Sequence, residues 1–128
     1  MNYSEEWKDI KGFKGKYQIS SFGRVKSLAR NQKYRNRKMR ERVIVQGTRP
    51  NNYNFVTLYK ENKRKIKSIH RIVAEMFIEN PLNKGTVNHK DFNRKNNAVS
   101  NLEWCTQKEN VNHAVKNGHT RGMNKIIS

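Results

Sequence analysis

Along this chain the apolar residues fall first with a period of two and then with a period of three to four. The clearest alternation is Tyr53 to Tyr59: Tyr53, Phe55, Thr57 and Tyr59 share one face, Val56 and Leu58 the other. Polar Glu61-Asn62-Lys63-Arg64 reads as a turn, and Lys65 to Ile69 returns, so an antiparallel hairpin with a basic tip is expected. Nearer the N-terminus, Trp7–Ile10, Tyr17–Ser20 and Arg24–Leu28 alternate over shorter spans. Gly12 and Gly15 punctuate them, and Ser21-Phe22-Gly23 is suited to a hairpin turn. Glu41 to Gln46 reads as a further strand. Residues 30–42 carry no apolar period and read as a loop or arm that orders on a phosphate backbone.

From Ile69 the period changes. Ile69, Ile72, Val73, Met76 and Phe77 form one stripe, which predicts a helix to about Glu79, with Ser68 as N-cap and Pro81 beyond its end. A second helix is expected from about Gln107 to Asn117. Thr106-Gln107-Lys108-Glu109 has the form of a capping box, Val111, Ala114 and Val115 make the apolar face, and Gly118 supplies the stop. Between the helices lie the strand Thr86–His89, the polar loop Asp91–Asn97 and the strand Asn101–Cys105. The expected fold is α+β: an N-terminal antiparallel strand module with a basic arm over 1–50, then a ββα unit within 51–128.

Charge narrows the partner. Twenty-eight Lys and Arg oppose ten Asp and Glu, a formal net charge of +18. The excess peaks at Arg24, Lys26, Arg30, Lys33, Arg35, Arg37, Lys38, Arg40 and Arg42, opposed there only by Glu41. Such self-repulsion is relieved by a polyanion, and each phosphate contact releases condensed counterions, so nucleic acid is the expected ligand. Arg24, Lys26, Arg30, Arg35, Arg37, Lys38, Arg40 and Arg42 are the candidate contacts. An acidic membrane surface fits less well, because no basic amphipathic helix is present. Cys105, the one cysteine, excludes a disulfide framework and a paired-cysteine zinc site. The polar N-terminus carries no secretion signal and no apolar run approaches a membrane span, so a soluble intracellular protein is expected.

Val87-Asn88-His89-Lys90-Asp91, Asn96-Asn97, Asn101-Leu102-Glu103-Trp104-Cys105-Thr106 and Glu109-Asn110 resemble the HNH motif of phage and intron-encoded homing endonucleases. His89, Asn101 and Asn110 match its letters in order. Ile69-His70-Arg71-Ile72-Val73-Ala74 is similar to the helix leading into that motif, and Trp7 to Leu28 resembles the small module that precedes it in such enzymes. The resemblance implies a ββα-metal nuclease core that hydrolyses double-stranded DNA to 5′-phosphate and 3′-hydroxyl ends. It also implies one Mg2+ or Mn2+ per site and no zinc, in the cytoplasm of a bacterial or phage-infected cell. One site per chain gives a nick by a monomer or a double break by a homodimer.

The chemistry assigns roles. Phosphodiester hydrolysis needs an activated water, a cation at the phosphate and a stabilised leaving oxygen. His89 titrates near neutrality and is the expected general base, its activity falling below about pH 6.5. Asn101 would hold the loop and help orient His89. Asn110, early in the helix, offers a hard oxygen suited to magnesium, as does Asn88. Family members often carry aspartate where Asn88 stands, so metal affinity should be lower here, with Asp91 a candidate to compensate. His113, one turn after Asn110, is a further candidate near the phosphate. His70 reads as a packing or hydrogen-bonding residue, and Trp104 and Phe77 as core. Only Thr120 to Ser128 would follow the ββα unit, so sequence selectivity is expected to come from the N-terminal module and arm, or to be low. Two rivals explain the charge equally well: a catalytically silent DNA-binding module, and a basic RNA-binding protein.

Overall fold

Strands β1 (Trp7–Asp9), β2 (Tyr17–Ser20) and β3 (Val25–Ser27) form successive antiparallel pairs, with Trp7 opposite Ser20 and Tyr17 opposite Ser27. The computed structural model describes residues 4–32 and 37–116, with backbone alone for 30–32 and 37–39. Within these bounds the expected loop at 30–42 is corrected. β4 (Arg30–Gln32) pairs antiparallel with β5 (Arg37–Met39), Arg30 opposite Met39. A ladder is made by backbone N–H and C=O groups, so strands with no apolar face escape a search for hydrophobic periodicity. The strand expected over 41–46 shrinks to β6 (Arg42–Val43), which closes the sheet in the order β1-β2-β3-β6. Ile44 N adds a bond to Val25 O (2.8 Å), and Val45 then projects into solvent at 93% exposure.

The chain next builds a three-stranded sheet from β7 (Gly47–Thr48), β8 (Asn54–Lys60) and β9 (Lys63–Ser68). The turn between β8 and β9 is tighter than expected. Glu61 and Asn62 alone span it, at φ 52° and 63°, while Lys60 faces Lys63. Two positive φ values give the I′ geometry whose twist matches the flanking strands. On β8 the period of two holds: Val56 and Leu58 are buried, and Tyr59 stands half exposed on the other face.

β9 runs directly into α1 (Ile69–Phe77), which buries Ile69, Ile72, Val73 and Ala74. Ser68 has the extended backbone of an N-cap but makes no side-chain capping bond. It is the last ladder residue of β9, opposite Phe55. The helix stops before Glu79 because Ile78 turns extended, donating its N–H to Ala74 O at 3.0 Å. The Ile78 carbonyl then accepts Trp104 Nε1–H (3.0 Å).

The rest is a ββα unit: β10 (Thr86–His89), a 3-10 turn (Val99–Asn101), β11 (Leu102–Cys105) and α2 (Gln107–Lys116). The capping box forms as expected, Glu109 N donating to Thr106 Oγ1 (3.1 Å) and Thr106 N to Glu109 Oε1 (2.9 Å). α1 packs against β2, β8, β9, β10 and β11. One cluster therefore runs from Ile10, Phe13, Tyr17, Ile19 and Val25 through Val56, Leu58 and the α1 stripe to Val87 and Leu102. Burying each such Leu, Ile or Val contributes about 1.5–3 kcal/mol. Among the described residues no helix is long and apolar enough to cross a membrane.

Candidate active site

The site starts from the register of β10 on β11, which sets Asn88 opposite Glu103 and His89 opposite Leu102. Successive side chains on a strand point to opposite faces, so Asn88 and Glu103 share one side and His89 emerges on the other. Asn88 and His89 are both buried. Asn88 Nδ2 donates to Glu103 Oε1 at 2.9 Å, which fixes the amide and leaves Oδ1 as its remaining donor atom for a cation.

His89 Nε2 lies 2.8 Å from Asn97 Oδ1. A carbonyl oxygen accepts only, so Nε2 carries the hydrogen and Nδ1 keeps the basic lone pair. Burial pulls the His89 pKa below the ordinary histidine range; the Asn97 bond and the Asp91 charge work upward, and Arg94 downward. The ring also sits in an aromatic group. His70 is centred 5.2 Å away and Tyr53 5.9 Å, with His70 and Tyr53 stacked at 4.8 Å. Arg94 lies over Tyr53 at 4.6 Å and donates to Asn51 O at 2.8 Å. His70 Nδ1 is buried with no hydrogen-bond partner among the described residues. Burial, then the neighbouring His89, Arg71 and Arg94, lowers the His70 pKa to about 4, so it is neutral near pH 7.

Asn101 organises the loop after the histidine. Its Oδ1 accepts Asp91 N (3.0 Å), and its Nδ2 donates to Asp91 Oδ1 (2.8 Å) and Asn96 O (2.9 Å). The Asp91 carboxylate also accepts Asn93 N and Asn96 Nδ2. These bonds, that from Asn96 foremost, hold its pKa below the usual carboxylate range, so both Asp91 oxygens are engaged within the loop. Phe92 follows at φ 63°, its N–H on His89 O (3.0 Å), and its ring stacks on His113 at 4.7 Å. On α2, Asn110 stands in the first turn, where the capping box and the Lys84–Glu109 ion pair (2.9 Å) anchor the helix.

Sequence reasoning missed several of these partners. Asn101 was expected to hold the loop and help orient His89; it does bond the loop, while the side chain directly on the ring is Asn97, second of the Asn96-Asn97 pair already visible in the motif. Glu103 becomes legible as the partner of Asn88 only once the strand register is known. Tyr53 and Arg94 carried no motif at all.

Of the candidate DNA contacts, Arg24 is committed within the chain. Its guanidinium makes a two-pronged pair with Glu5, whose pKa that bond lowers, and lies 5.5 Å over the Trp7 ring. Lys26 stands 4.4 Å over Trp7 and 3.7 Å from Glu41. Arg40 and Arg42 are exposed. Arg35 lies outside the described residues, as do the side chains of Arg30, Arg37 and Lys38. Lys63, Arg64 and Lys65 on β9 are also exposed cations.

A two-stranded ribbon and capped helix holding a buried, amide-bonded histidine, on an α+β scaffold, make up the ββα architecture expected of the motif. Residues 5–59 match the NUMOD4 motif and residues 67–112 the HNH endonuclease family model. The chain belongs to the HNH homing endonuclease family. It is 39% identical over 122 residues to the HNH endonuclease L245 of Acanthamoeba polyphaga mimivirus, covering 95% of this chain and 33% of that one. It is 37% identical over 113 residues to the DNA endonuclease I-HmuI of Bacillus phage SP01, covering 88% of this chain and 59% of that one. A solved structure described as DNA binding and cleavage by I-HmuI superposes with a TM-score of 0.74 over 89% of this chain and 60% of its own. The chain thus spans about a third to three fifths of these relatives.

Proposed function

We propose that the protein is a divalent-metal-dependent endonuclease that hydrolyses phosphodiester bonds of double-stranded DNA. The observation that carries this reading is the buried His89 ring, hydrogen-bonded at Nε2 by Asn97 and so left basic at Nδ1. His89 Nδ1 takes a proton from the attacking water as its oxygen bonds to phosphorus. The bond to the 3′ oxygen breaks; that oxygen leaves with the bonding pair and takes a proton from solvent water, giving a 3′-hydroxyl opposite a 5′-phosphate. Neutral His70 and the stacked Tyr53 wall the ring without adding charge beside it. Asn101 keeps the Asp91–Asn97 loop folded around it.

The donor set fits a hard divalent cation such as Mg2+ or Mn2+. Asn88 Oδ1 is left unclaimed by the Glu103 bond, and Asn110 offers a second amide oxygen; magnesium accepts few protein oxygens and completes its shell with water and phosphate. When bound, the ion would supply positive charge at the phosphate and leaving oxygen. Residues 1–50, with Arg40, Arg42 and the 30–42 segment, would hold the duplex, and 51–128 would cut it.

Nicking of a supercoiled plasmid tests the reading. Cleavage is expected with Mg2+ or Mn2+, lost on chelation, and lost in His89→Ala while duplex binding persists. A His89→Ala protein that cuts as well as the wild type would refute the assignment. Tight duplex binding with no cutting under either ion would leave a silent DNA-binding module.

A further inference from the structure

We propose that the β2–β3 turn of the N-terminal sheet is a positioning element for the cleavage step, Gly23 setting through Asn97 where the His89 ring stands. The proposal rests on His89 acting as the base. Asn97 is itself buried, and its backbone lies directly against the turn. A Cβ on Gly23 would fall 2.9 Å from Asn97 Cβ and 3.0 Å from Asn97 O. At least one of these is backbone, which cannot swing aside as a flexible side chain would. The contact therefore exists because residue 23 has no side chain.

The turn is built to hold that position. Gly23 stands at φ 88°, in the left-handed region that suits glycine. Gly23 N donates to Ser20 O (3.0 Å), and the buried Ser20 hydroxyl accepts Phe22 N (3.2 Å) and Arg24 N (3.0 Å). Gln46 Nε2 reaches across to Gly23 O at 2.6 Å. The opposing loop is pinned to the same turn, since Val99 N donates to Ser21 O at 2.9 Å. Asn97 is thus seated by the N-terminal sheet on one side and reaches His89 Nε2 on the other. The β2–β3 turn reaches the loop beside His89 through van der Waals contact at Asn97 and the Val99–Ser21 backbone hydrogen bond. An account in which this contact serves folding alone predicts lost stability and nothing else.

Gly23→Ala separates the two. The control is Gly15→Ala, because Gly15 has a similar positive φ of 78° with nothing within 4 Å of its would-be Cβ. Both variants incur the backbone strain, and only the first pushes Asn97. With saturating DNA and metal in single turnover, Gly23→Ala is expected to cut about 10- to 100-fold more slowly. Its duplex affinity should stay within about twofold of wild type, since the exposed Arg40 and Arg42 proposed to hold phosphate lie outside this turn and the adjacent Arg24 is paired with Glu5. Gly15→Ala should cut at the wild-type rate with a lower melting temperature. Asn97→Ala combined with Gly23→Ala should be no slower than Asn97→Ala alone, because both act through one contact. Nitrogen NMR of the imidazoles, without DNA or metal, should show one defined His89 tautomer in the wild type and a mixture in Gly23→Ala.

Should Gly23→Ala fail to fold, Gln46→Ala loosens the same turn without adding atoms, and a several-fold slower cut at unchanged affinity is expected. Wild-type cleavage rates in Gly23→Ala, or in Gln46→Ala if that variant has to be used, would overturn the proposal. So would an equal loss in Gly15→Ala. If the wild type cuts no DNA, the nuclease reading itself fails, and the NMR comparison still decides whether the turn sets the His89 ring.

Discussion

At the scale of single residues, the site is governed by which hydrogen bond each polar side chain has already made. His89 has spent Nε2 on Asn97, so the lone pair it would use as the proposed base is on Nδ1. Burial stabilises the neutral ring, which is the active form of a base. A depressed pKa keeps His89 deprotonated to lower pH, so the acid limb of the cleavage rate should fall below the pH 6.5 of an ordinary histidine. A pH–rate profile in single turnover checks this, and a limb above pH 6.5 would contradict it. The Asn88 amide is neutral, and Glu103 on its Nδ2 brings negative charge one atom shell further out. Glu103→Gln should therefore raise the Mg2+ concentration needed for half-maximal cutting by about 10-fold, read from a metal titration at fixed DNA. An unchanged titration would separate Glu103 from the ion.

At the scale of elements, what matters is how strand, loop and helix ends are secured. The Thr106–Glu109 capping box starts α2 and so fixes where Asn110 stands. Thr106→Ala should cost about 1 kcal/mol of stability, measurable by urea denaturation. His70, in the first turn of α1 beside the β10 histidine, has its pKa lowered to about 4. The unfolded chain then binds more protons than the folded one below the ordinary 6.5. Stability is complete above pH 6.5 and is lost as pH falls toward about 4. Melting temperatures across that range should fall for the wild type and fall less for His70→Phe. A ladder such as β4–β5 shows the limit of pattern reading, because its bonds are backbone bonds and its side chains carry no period.

For the molecule as a whole, charge and topology act together. With a net charge of +18, the proposed duplex affinity should depend strongly on salt. The cations are not equivalent, however. Arg40 and Arg42 are exposed, whereas Arg24 is paired with Glu5 over Trp7. Replacing Arg40 or Arg42 with Ala should reduce the slope of log affinity against log salt by about one each. Arg24→Ala should change the slope less. Fluorescence anisotropy of a labelled duplex at several salt concentrations tests this, and equal slopes for all three would show that the Glu5 pair opens on DNA.

The periods of two and three to four, the turn residues and the capping box were enough to give β8, α1, the ββα unit and α2 by themselves. They are local: each is decided by residues a few positions apart, through backbone geometry and side-chain spacing. The order of His89, Asn101 and Asn110 likewise carried the family, because that motif lies within one short stretch of chain. What only the tertiary structure decided is which distant groups meet. Asn97 rather than Asn101 holds the His89 ring, Glu103 holds Asn88, His70 and Tyr53 wall the site, and Gly23 abuts Asn97 across the whole intervening chain. Such contacts depend on strand register and on how α1 packs three sheets together, and side-chain pattern along a sequence holds no record of either.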